Sequence, residues 1–407
     1  MNHHDEPISL ALSGIGGMGA VYLQALFEKL GNEIFRIEGV VDPLPEKSPH
    51  FDRLEALGIP IYPSLESLYR RHAAEFAIIS SPIHFHAPQT CLALEHRSHV
   101  LCEKPVAAAI QEARLMADAR DLAGRWVAIG YQWSFSSAIQ DLKTEIQSGR
   151  FGKPKRLKCL YLWPRDGAYY RRNDWAGKKR DCGGAWILDS PANNAMAHDL
   201  HNMFYILGGR RDRSAVPVEV EAELYRAYHI ESFDTAAVRC RTDSGAEILF
   251  LASHVCAADN GPVFRYEFEK GTIFSSGRNS PIQASFPDGS LNEYGSPDLE
   301  PMKKLWDCLE SVKTGKPPVC GLEAAMSQTL CVDGMHDSMP EIADFPQNLL
   351  VKEGAPGQER TWVEGLDETL ELCYEKNRLP SELGVPWSRT GRRIDLRDYQ
   401  GFPGLWK

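Results

Sequence analysis

The stretch from Ile8 to Asp42 constrains this chain more tightly than any other. A short apolar run, Ile8-Ser9-Leu10-Ala11-Leu12, leads into Gly14-Ile15-Gly16-Gly17-Met18-Gly19. Ala20 to Leu30 follows with Val21, Ala25 and Leu26 at helical spacing, and Ile37-Glu38-Gly39-Val40-Val41 then ends in Asp42, 23 residues beyond Gly19. Strand, glycine turn, helix, strand and terminal acid in that order predict a βαβ unit whose turn binds a dinucleotide. The glycines let the backbone approach a pyrophosphate, and the helix N-terminus offers N–H groups and the positive end of its dipole. The same spacing outside such a context also occurs in turns that bind nothing. Asp42 is placed to accept hydrogen bonds from ribose hydroxyls and to repel a 2′-phosphate. Pro43, Leu44, Pro45 and Glu46 follow it, with Lys47 the nearest cation, so NAD is expected over NADP.

Residues 99–105 read His-Val-Leu-Cys-Glu-Lys-Pro. Ligands of open α/β sheets collect at the carboxyl ends of the strands, which puts Lys104 where a hydroxyl about to lose a hydride would lie. Pro105 withholds an N–H from the sheet, so the strand stops there and the lysine points outward.

Up to about residue 130 the chain alternates apolar strands (76–80, 99–101, 126–130) with helical stretches, the pattern of a parallel, helix-covered Rossmann sheet. After Tyr131 the texture changes. Segments 218–229, 235–241, 247–253 and 264–269 alternate and are joined by short turns such as Thr242-Asp243-Ser244-Gly245, which predicts a large, mostly antiparallel sheet. The expected fold is therefore α/β followed by α+β: a dinucleotide-binding domain over 1–130 and a substrate-binding and oligomerisation domain over 131–407. The last part, about 380–407, reads as an extended arm carrying Trp387, Tyr399, Phe402 and Trp406. One open face of the broad sheet, together with these aromatics, predicts a homodimer or a homotetramer.

A net charge of −10 argues against a nucleic-acid partner, and no apolar run approaches membrane-spanning length. The amino terminus shows no basic segment followed by an apolar one, and the ten cysteines are scattered without a Cys-x-x-Cys pair. A cytoplasmic protein with free thiols is expected.

A second constellation lies at 194–201. Asn194, His198 and His201 are spaced i, i+4, i+7 on a helix expected over 193–207, within about 60° of one another. Met196, Leu200, Met203, Phe204 and Leu207 line the opposite face. Two imidazoles on one face admit a solvated surface, a metal site or a catalytic face. No third ligand at motif spacing is evident, so no metal is expected.

The glycine turn, Ser81-Pro82 with His86, Glu103-Lys104-Pro105 and the helix bearing His198 together resemble the glucose–fructose oxidoreductase / inositol dehydrogenase / rhizopine-catabolism (Gfo/Idh/MocA) family. The resemblance covers most of the chain. It implies an NAD-dependent oxidoreductase of a sugar, sugar acid or cyclitol, with NAD held by Gly14 to Gly19, Asp42, Ser80, Ser81, Pro82, His86, Glu103 and Lys104. It also implies that Lys104 and His198 belong to the catalytic group, with His198 as base and Lys104 polarising the reacting oxygen. Where the family typically carries an aspartate this chain has Asn194, which can orient a partner but cannot hold a proton. Asp189, just upstream, would restore the charge if the loop folds back. Two further activities share the fold: an NAD-dependent glycosidase or lyase using transient oxidation, and a non-catalytic, cofactor-sensing regulator.

Substrate contacts are expected from Lys104, Asn194, His198, His201 and the 161–180 stretch, above all Trp163, Arg165, Tyr169 and Tyr170. Aromatic faces and forked guanidinium groups suit a sugar's apolar face and hydroxyls. Six cations against two carboxylates give 161–180 a local +4, which fits an acidic or phosphorylated sugar and equally a solvated surface loop.

Overall fold

The computed structural model describes residues 6–31, 33–355 and 359–404, so Trp406 and the first five residues lie outside it. The chain forms two compact units.

The first unit holds the described residues up to Ala107 together with Glu112–Phe135 and Glu300–Glu323. Its sheet comprises β1 (Ile8–Ser13), β2 (Phe35–Val41), β3 (Ile61–Tyr62), β4 (Phe76–Ile79), β5 (His99–Cys102) and β6 (Val127–Ile129), in the order β3-β2-β1-β4-β5-β6. All pairings are parallel. Every residue of β1 and β4 is buried, because helices cover both faces and leave no side for alternation. The order reverses between β1 and β4, and the strand ends there carry the glycine turn and Ser80. The unit extends past the boundary expected near 130 because 300–323 returns to it. Ile129 donates its backbone N–H to the carbonyl of Cys320 at 2.8 Å, and Arg120 pairs with Glu323 at 2.7 Å.

The second unit is built on β7 (Pro154–Leu162), β8 (Pro217–Arg226), β9 (Thr235–Thr242), β10 (Glu247–Ser253), β11 (Asn260–Phe268), β12 (Thr272–Ser275), β13 (Ile282–Ser285), β14 (Leu291–Gly295) and β15 (Ala343–Asp344). They run in the order β14-β13-β12-β11-β7-β10-β9-β8-β15, antiparallel except for β7 with β10 and β8 with β15. A separate hairpin joins β16 (Leu350–Glu353) to β17 (Arg360–Val363), and β18 (Ile394–Asp395) adds to β8.

Neighbouring rows across this sheet differ in character. Phe264, Cys159, Phe250, Val238 and Ala222 stand in register and are buried on one face, the side of the helices Ala197–Leu207 and Leu322–Ser338. The adjacent row on the other face reads Arg265, Lys158, Leu249, Arg239 and Glu221.

Part of the open face expected to need a partner, over β7 to β10, is covered by the chain itself. The helix Leu366–Lys376 lies over it, with Lys158 Nζ donating to the Tyr374 carbonyl at 2.8 Å and sitting 4.4 Å from that ring's centroid. Asn377 donates to Glu247 at 2.8 Å, Ser381 Oγ to Glu223 at 2.6 Å, and Glu382 accepts from Arg239 at 2.5 Å. Leu249, Leu251 and Ala237 are buried beneath. The arm then packs on its own unit: Trp387 meets Tyr225 edge-on, the Tyr399 hydroxyl donates to Asp337, and Phe402 meets Trp186 at 4.7 Å. Among the described residues no helix is long and apolar enough to cross a membrane. All ten cysteines are free thiols, and eight of them are buried.

Candidate functional site

The three motif glycines play three different parts. Gly14 has φ +81°, and a Cβ on it would stand 2.7 Å from the backbone nitrogen of Ser81. A Cβ on Gly19 would fall 1.8 Å from the Gly14 oxygen. These two serve the close crossing of turn, helix and β4. Gly16 is different: it is exposed, and a Cβ there would meet nothing within 4 Å. Its freedom from a side chain answers no packing demand of the protein itself, and it leaves the backbone of the turn accessible.

The helix Gly17–Glu28 starts at this point with Gly16 as N-cap, no capping side chain and no acid in its first turn. Its N-terminal dipole therefore faces open space, as an anion site requires. Ile15 is buried and donates its N–H to Asp42 Oδ2 at 3.0 Å, while Asp42 Oδ1 accepts from Leu44 N at 3.0 Å. The acid at the tip of β2 is thus oriented against the turn. Met18 is half-buried, Gly17 exposed. Ser80 Oγ donates to the Gly14 carbonyl at 2.7 Å, and Ser81 Oγ to Gln89 at 2.8 Å. Pro82 leads the short turn Ile83–Phe85. The donors, the side-chain-free backbone at Gly16 and the oriented carboxylate fit NAD.

Two residues expected beside the cofactor, Glu103 and His86, are buried and bonded within the protein. Glu103 is 6 % exposed and accepts from the Tyr22 hydroxyl at 2.7 Å, the Lys104 backbone N–H at 3.1 Å and Lys304 Nζ. Burial pushes its pKa up, but the Lys304 charge and hydrogen bond, helped by Tyr22 and Lys104, hold it below the ordinary carboxylate value. His86 is buried between the carbonyls of Pro105 (2.8 Å) and Ser81 (2.9 Å), and burial lowers its pKa. Both residues spend their polar atoms holding the Lys104–Pro105 turn, leaving Lys104 half-buried at the end of β5. Lys304 and Tyr22 were not legible as its supports.

In the second unit the expected continuous helix over 193–207 is two pieces. Ser190 Oγ accepts from Asn193 N at 3.2 Å, Pro191 takes the first position, and Pro191–Ala195 forms a wide π turn before the helix Ala197–Leu207. The extra width removes Asn194 from the regular helical arc. It also corrects the expected pattern of one apolar and one histidine-bearing face, since His198 is the one residue of Ala197–Leu207 that is not buried. His201 is fully buried and stacks on Tyr205 at 5.5 Å, and its pKa is driven well down by burial and the Lys143 charge. It packs the interior rather than lining a face.

The loop does fold back. Asn194 Nδ2 donates to Asp189 Oδ1 at 2.9 Å, and Asp189, 2 % exposed, also accepts from Gly177 N at 2.6 Å and lies 3.9 Å from Arg172. Trp163 and Arg165 leave the end of β7 bonded to the β10 end, Trp163 N to the Ser253 carbonyl (2.9 Å) and Arg165 N to that of His254 (3.0 Å). Tyr169 and Tyr170 stand on the short helix Gly167–Arg171, capped by Asp166. The Arg165 guanidinium lies 3.6 Å from the Trp163 ring centroid and 4.8 Å from that of Tyr169. Tyr170 turns its hydroxyl to His254 Nδ1 at 2.9 Å and its ring to Tyr228 at 4.9 Å, supporting the cluster from behind. Among the described residues no group of three or more His, Cys, Asp or Glu is placed to hold a metal ion.

Residues 8–131 match the family described as "Oxidoreductase family, NAD-binding Rossmann fold", and residues 139–274 match the GFO/IDH/MocA C-terminal domain. The chain is similar to a 1-carboxy-3-chloro-3,4-dihydroxycyclohexa-1,5-diene dehydrogenase of Comamonas testosteroni, 25% identical over 197 residues, 48% of this chain and 47% of that protein. It is similar to the inositol 2-dehydrogenase of a Pseudomonas fluorescens strain, 26% identical over 165 residues, 40% of this chain and 48% of that protein. The chain thus spans about half the length of the curated relatives it matches. Solved structures share the fold. The WlbA dehydrogenase of Bordetella pertussis, in complex with NADH and UDP-GlcNAcA, superposes with a TM-score of 0.66 at 20% identity, over 83% of this chain and 97% of that one. The aldose-aldose oxidoreductase of Caulobacter crescentus, complexed with glycerol, gives 0.67 at 19%, over 83% and 98%.

Proposed function

We propose, from the premise that this chain belongs to the Gfo/Idh/MocA oxidoreductase family with an NAD-binding Rossmann unit, that it transfers a hydride between a ring hydroxyl of a sugar or cyclitol and NAD. One observation carries the reading furthest: His198 alone of its helix is half-buried rather than buried, one turn beyond an Asn194 oriented by the buried Asp189. Imidazole is the side chain best suited to exchanging a proton near neutral pH, so His198 takes the proton of the reacting hydroxyl. Lys104, held at the end of β5 by the Glu103 and His86 struts, donates a hydrogen bond to the oxygen that becomes the carbonyl. Asn194 positions the hydroxyl, with Asp189 supplying the charge that an amide lacks.

The turn at Gly14–Gly19 and the uncapped helix start hold the pyrophosphate, and Asp42 holds the ribose hydroxyls and disfavours a 2′-phosphate. NAD, when bound, supplies the two-electron acceptor or donor. The names of the relatives, inositol and a dihydroxycyclohexadiene, point to a ring polyol as the class of substrate.

The test is NADH formation, followed by absorbance, with NAD⁺ and a panel of cyclitols, hexoses, aldonates and uronates. Reduction with at least one ring polyol is expected, with NAD preferred over NADP and the preference narrowed by Asp42→Ala. NAD binding without reduction by any of the panel would overturn the reading of the activity, and tighter binding of NADP would overturn the role given to Asp42.

A further inference from the structure

Beyond the reacting hydroxyl, the second unit carries a run of alternating cations and aromatic rings. The Arg278 guanidinium lies 4.5 Å from the Trp163 ring centroid, Arg165 lies 3.6 Å from the same ring and 4.8 Å from Tyr169, and Arg172 lies 3.8 Å from Tyr169 and 5.1 Å from Trp175. Tyr161 extends the run, stacked on Trp163 at 5.4 Å with planes 5° apart.

The counter-charges do not match the cations one for one. Arg278 pairs with Asp259 at 3.2 Å, and Arg172 faces Asp189 at 3.9 Å. Arg165, half-buried in the middle, has no carboxylate within 4 Å among the described residues, and its buried Nε has no hydrogen-bond partner. The carboxylate next to it in sequence, Asp166, is turned to its own backbone as a helix cap, and Asp189 already serves Gly177 and Asn194.

An arginine that serves only packing ordinarily satisfies its fork with carbonyls or carboxylates, because a partly desolvated, unpaired charge is costly. Here two flanking rings hold the guanidinium, and neither can neutralise it. Burial and the neighbouring Arg172 lower the Arg165 pKa, although the nearby Tyr169 and Tyr161 hydroxyls oppose them, while burial with Arg165 and Arg172 also keeps His254 neutral beneath the cluster. The whole local field is short of one negative charge.

We propose that the Trp163–Arg165–Tyr169 sandwich binds an oxyanion of the substrate, a carboxylate or a phosphate, and so selects an acidic or phosphorylated sugar over a neutral one. A guanidinium clamped between two planes presents its N–H edge in a fixed orientation, the arrangement that favours bidentate oxyanion recognition. The contacts run without a break from Arg165 through Tyr169, Arg172 and Asp189 to Asn194, and the proposal assigns the anion and the reacting hydroxyl to one molecule. The proposal rests on the dehydrogenase reading for the site it extends, but its test does not depend on turnover.

Binding of D-glucose, D-glucuronate and D-glucose 6-phosphate to the NAD-loaded protein is measured by calorimetry, for the parent, Arg165→Gln and Arg165→Lys. At least one anion is expected to bind about 10- to 100-fold tighter than glucose, the range of a charge-assisted pair. Whether glucuronate or the phosphate leads identifies the source of the oxyanion. Arg165→Gln should bring the anion-to-glucose ratio close to one, and Arg165→Lys, which keeps the charge and the stack but loses the fork, should retain part of it. Melting curves of the two variants separate loss of recognition from loss of fold. No saturable binding of either anion, equal affinity for all three sugars, or an undiminished ratio in Arg165→Gln overturns the proposal. Failure of the dehydrogenase reading registers differently, as anion binding that persists without NADH formation.

Discussion

In the glycine turn, recognition is built from backbone and from the absence of side chains, and almost every polar side chain nearby is spent on the protein. Asp42 grips Ile15 and Leu44, Glu103 grips Tyr22 and Lys304, and His86 lies between two carbonyls. In the 161–180 region of the second unit the arrangement is reversed. Guanidinium groups stack on rings, one of them without a counter-charge, and the buried Asp199, close enough to raise the Tyr161 pKa, has an oxygen without a hydrogen-bond partner. The first construction suits a ligand that never varies, since a turn shaped by glycines offers one geometry. The second suits a ligand whose identity distinguishes one enzyme from another, because exchanging single side chains retunes it without disturbing the sheet.

The sharpest way to break this comparison is to remove the two groups proposed to act on the hydroxyl. His198→Ala and Lys104→Ala are each expected to lower kcat by roughly 10²- to 10⁴-fold, the usual worth of positioned acid–base groups, while NAD affinity stays within a few fold. Steady-state kinetics beside a NAD titration reads both. Full activity in His198→Ala would mean that the half-buried position on its helix serves something other than proton transfer.

Next in size is the Glu103–Lys304 strut. Both partners are buried, so Lys304→Met strands a carboxylate and should cost about 3–5 kcal/mol in denaturant melts, whereas the double variant with Glu103→Gln should recover most of that. The Glu103 pKa is held down in the folded chain, so the pair's contribution is present above the ordinary carboxylate pKa and is lost as pH falls. The Lys304→Met deficit should therefore shrink in acid, and a deficit independent of pH would locate the loss in packing alone.

Within the turn, two alanine substitutions one turn apart should separate fold from ligand. Gly19→Ala drives a Cβ into the Gly14 carbonyl and is expected to cost several kcal/mol, on the order of a severe overpacking defect. Gly16→Ala meets no protein atom, so the cofactor-free melt should stay within about 2 °C of the parent while the NAD dissociation constant rises about tenfold or more. Unchanged NAD affinity in Gly16→Ala would place the pyrophosphate elsewhere.

What could be read from the sequence follows the same division. The strand–turn–helix–strand–acid order is a local constraint, and β1, β2 and the helix Gly17–Glu28 fall where the glycine spacing predicts. Lys304 supports Glu103 across 201 residues, and nothing in the Lys303-Lys304 doublet marks which lysine is buried. The strands β12 to β14 are four or five residues long with few buried positions each, too short for alternation to declare them. The helix Leu366–Lys376 escapes for another reason: it and the residue after it meet Lys158 and Arg239, two cations of the sheet, so its partner face reads as solvent-exposed. His198 and His201 are equivalent by spacing, and only the packing around their helix separates a half-buried imidazole from a fully buried one. The cationic stretch at 161–180 is visible in composition, yet Arg278, which completes the stack, arrives from a distant segment.

A last test reads the second unit at a buried carboxyl that no spacing argument singles out. Asp199 follows His198 but turns inward: it is 3 % exposed, and one of its buried oxygens has no partner. Burial, with the Asp298 charge added, raises its pKa to about 8. Between about pH 4 and 8 the folded chain thus keeps a proton that the unfolded chain has released, so this residue lowers stability progressively as pH rises through that window and no further above it. Asp199→Asn keeps the shape and removes the titration. Its melting temperature should match the parent near pH 4 and exceed it increasingly toward pH 8, where a shift of this size corresponds to roughly 5 kcal/mol. A stability gap that stays flat from pH 4 to 8 would show that the carboxylate finds a partner in solution. A gain in stability accompanied by loss of turnover would move Asp199 from the packing of the helix into the chemistry of His198, and would draw the border between the two constructions through the middle of a single helical turn.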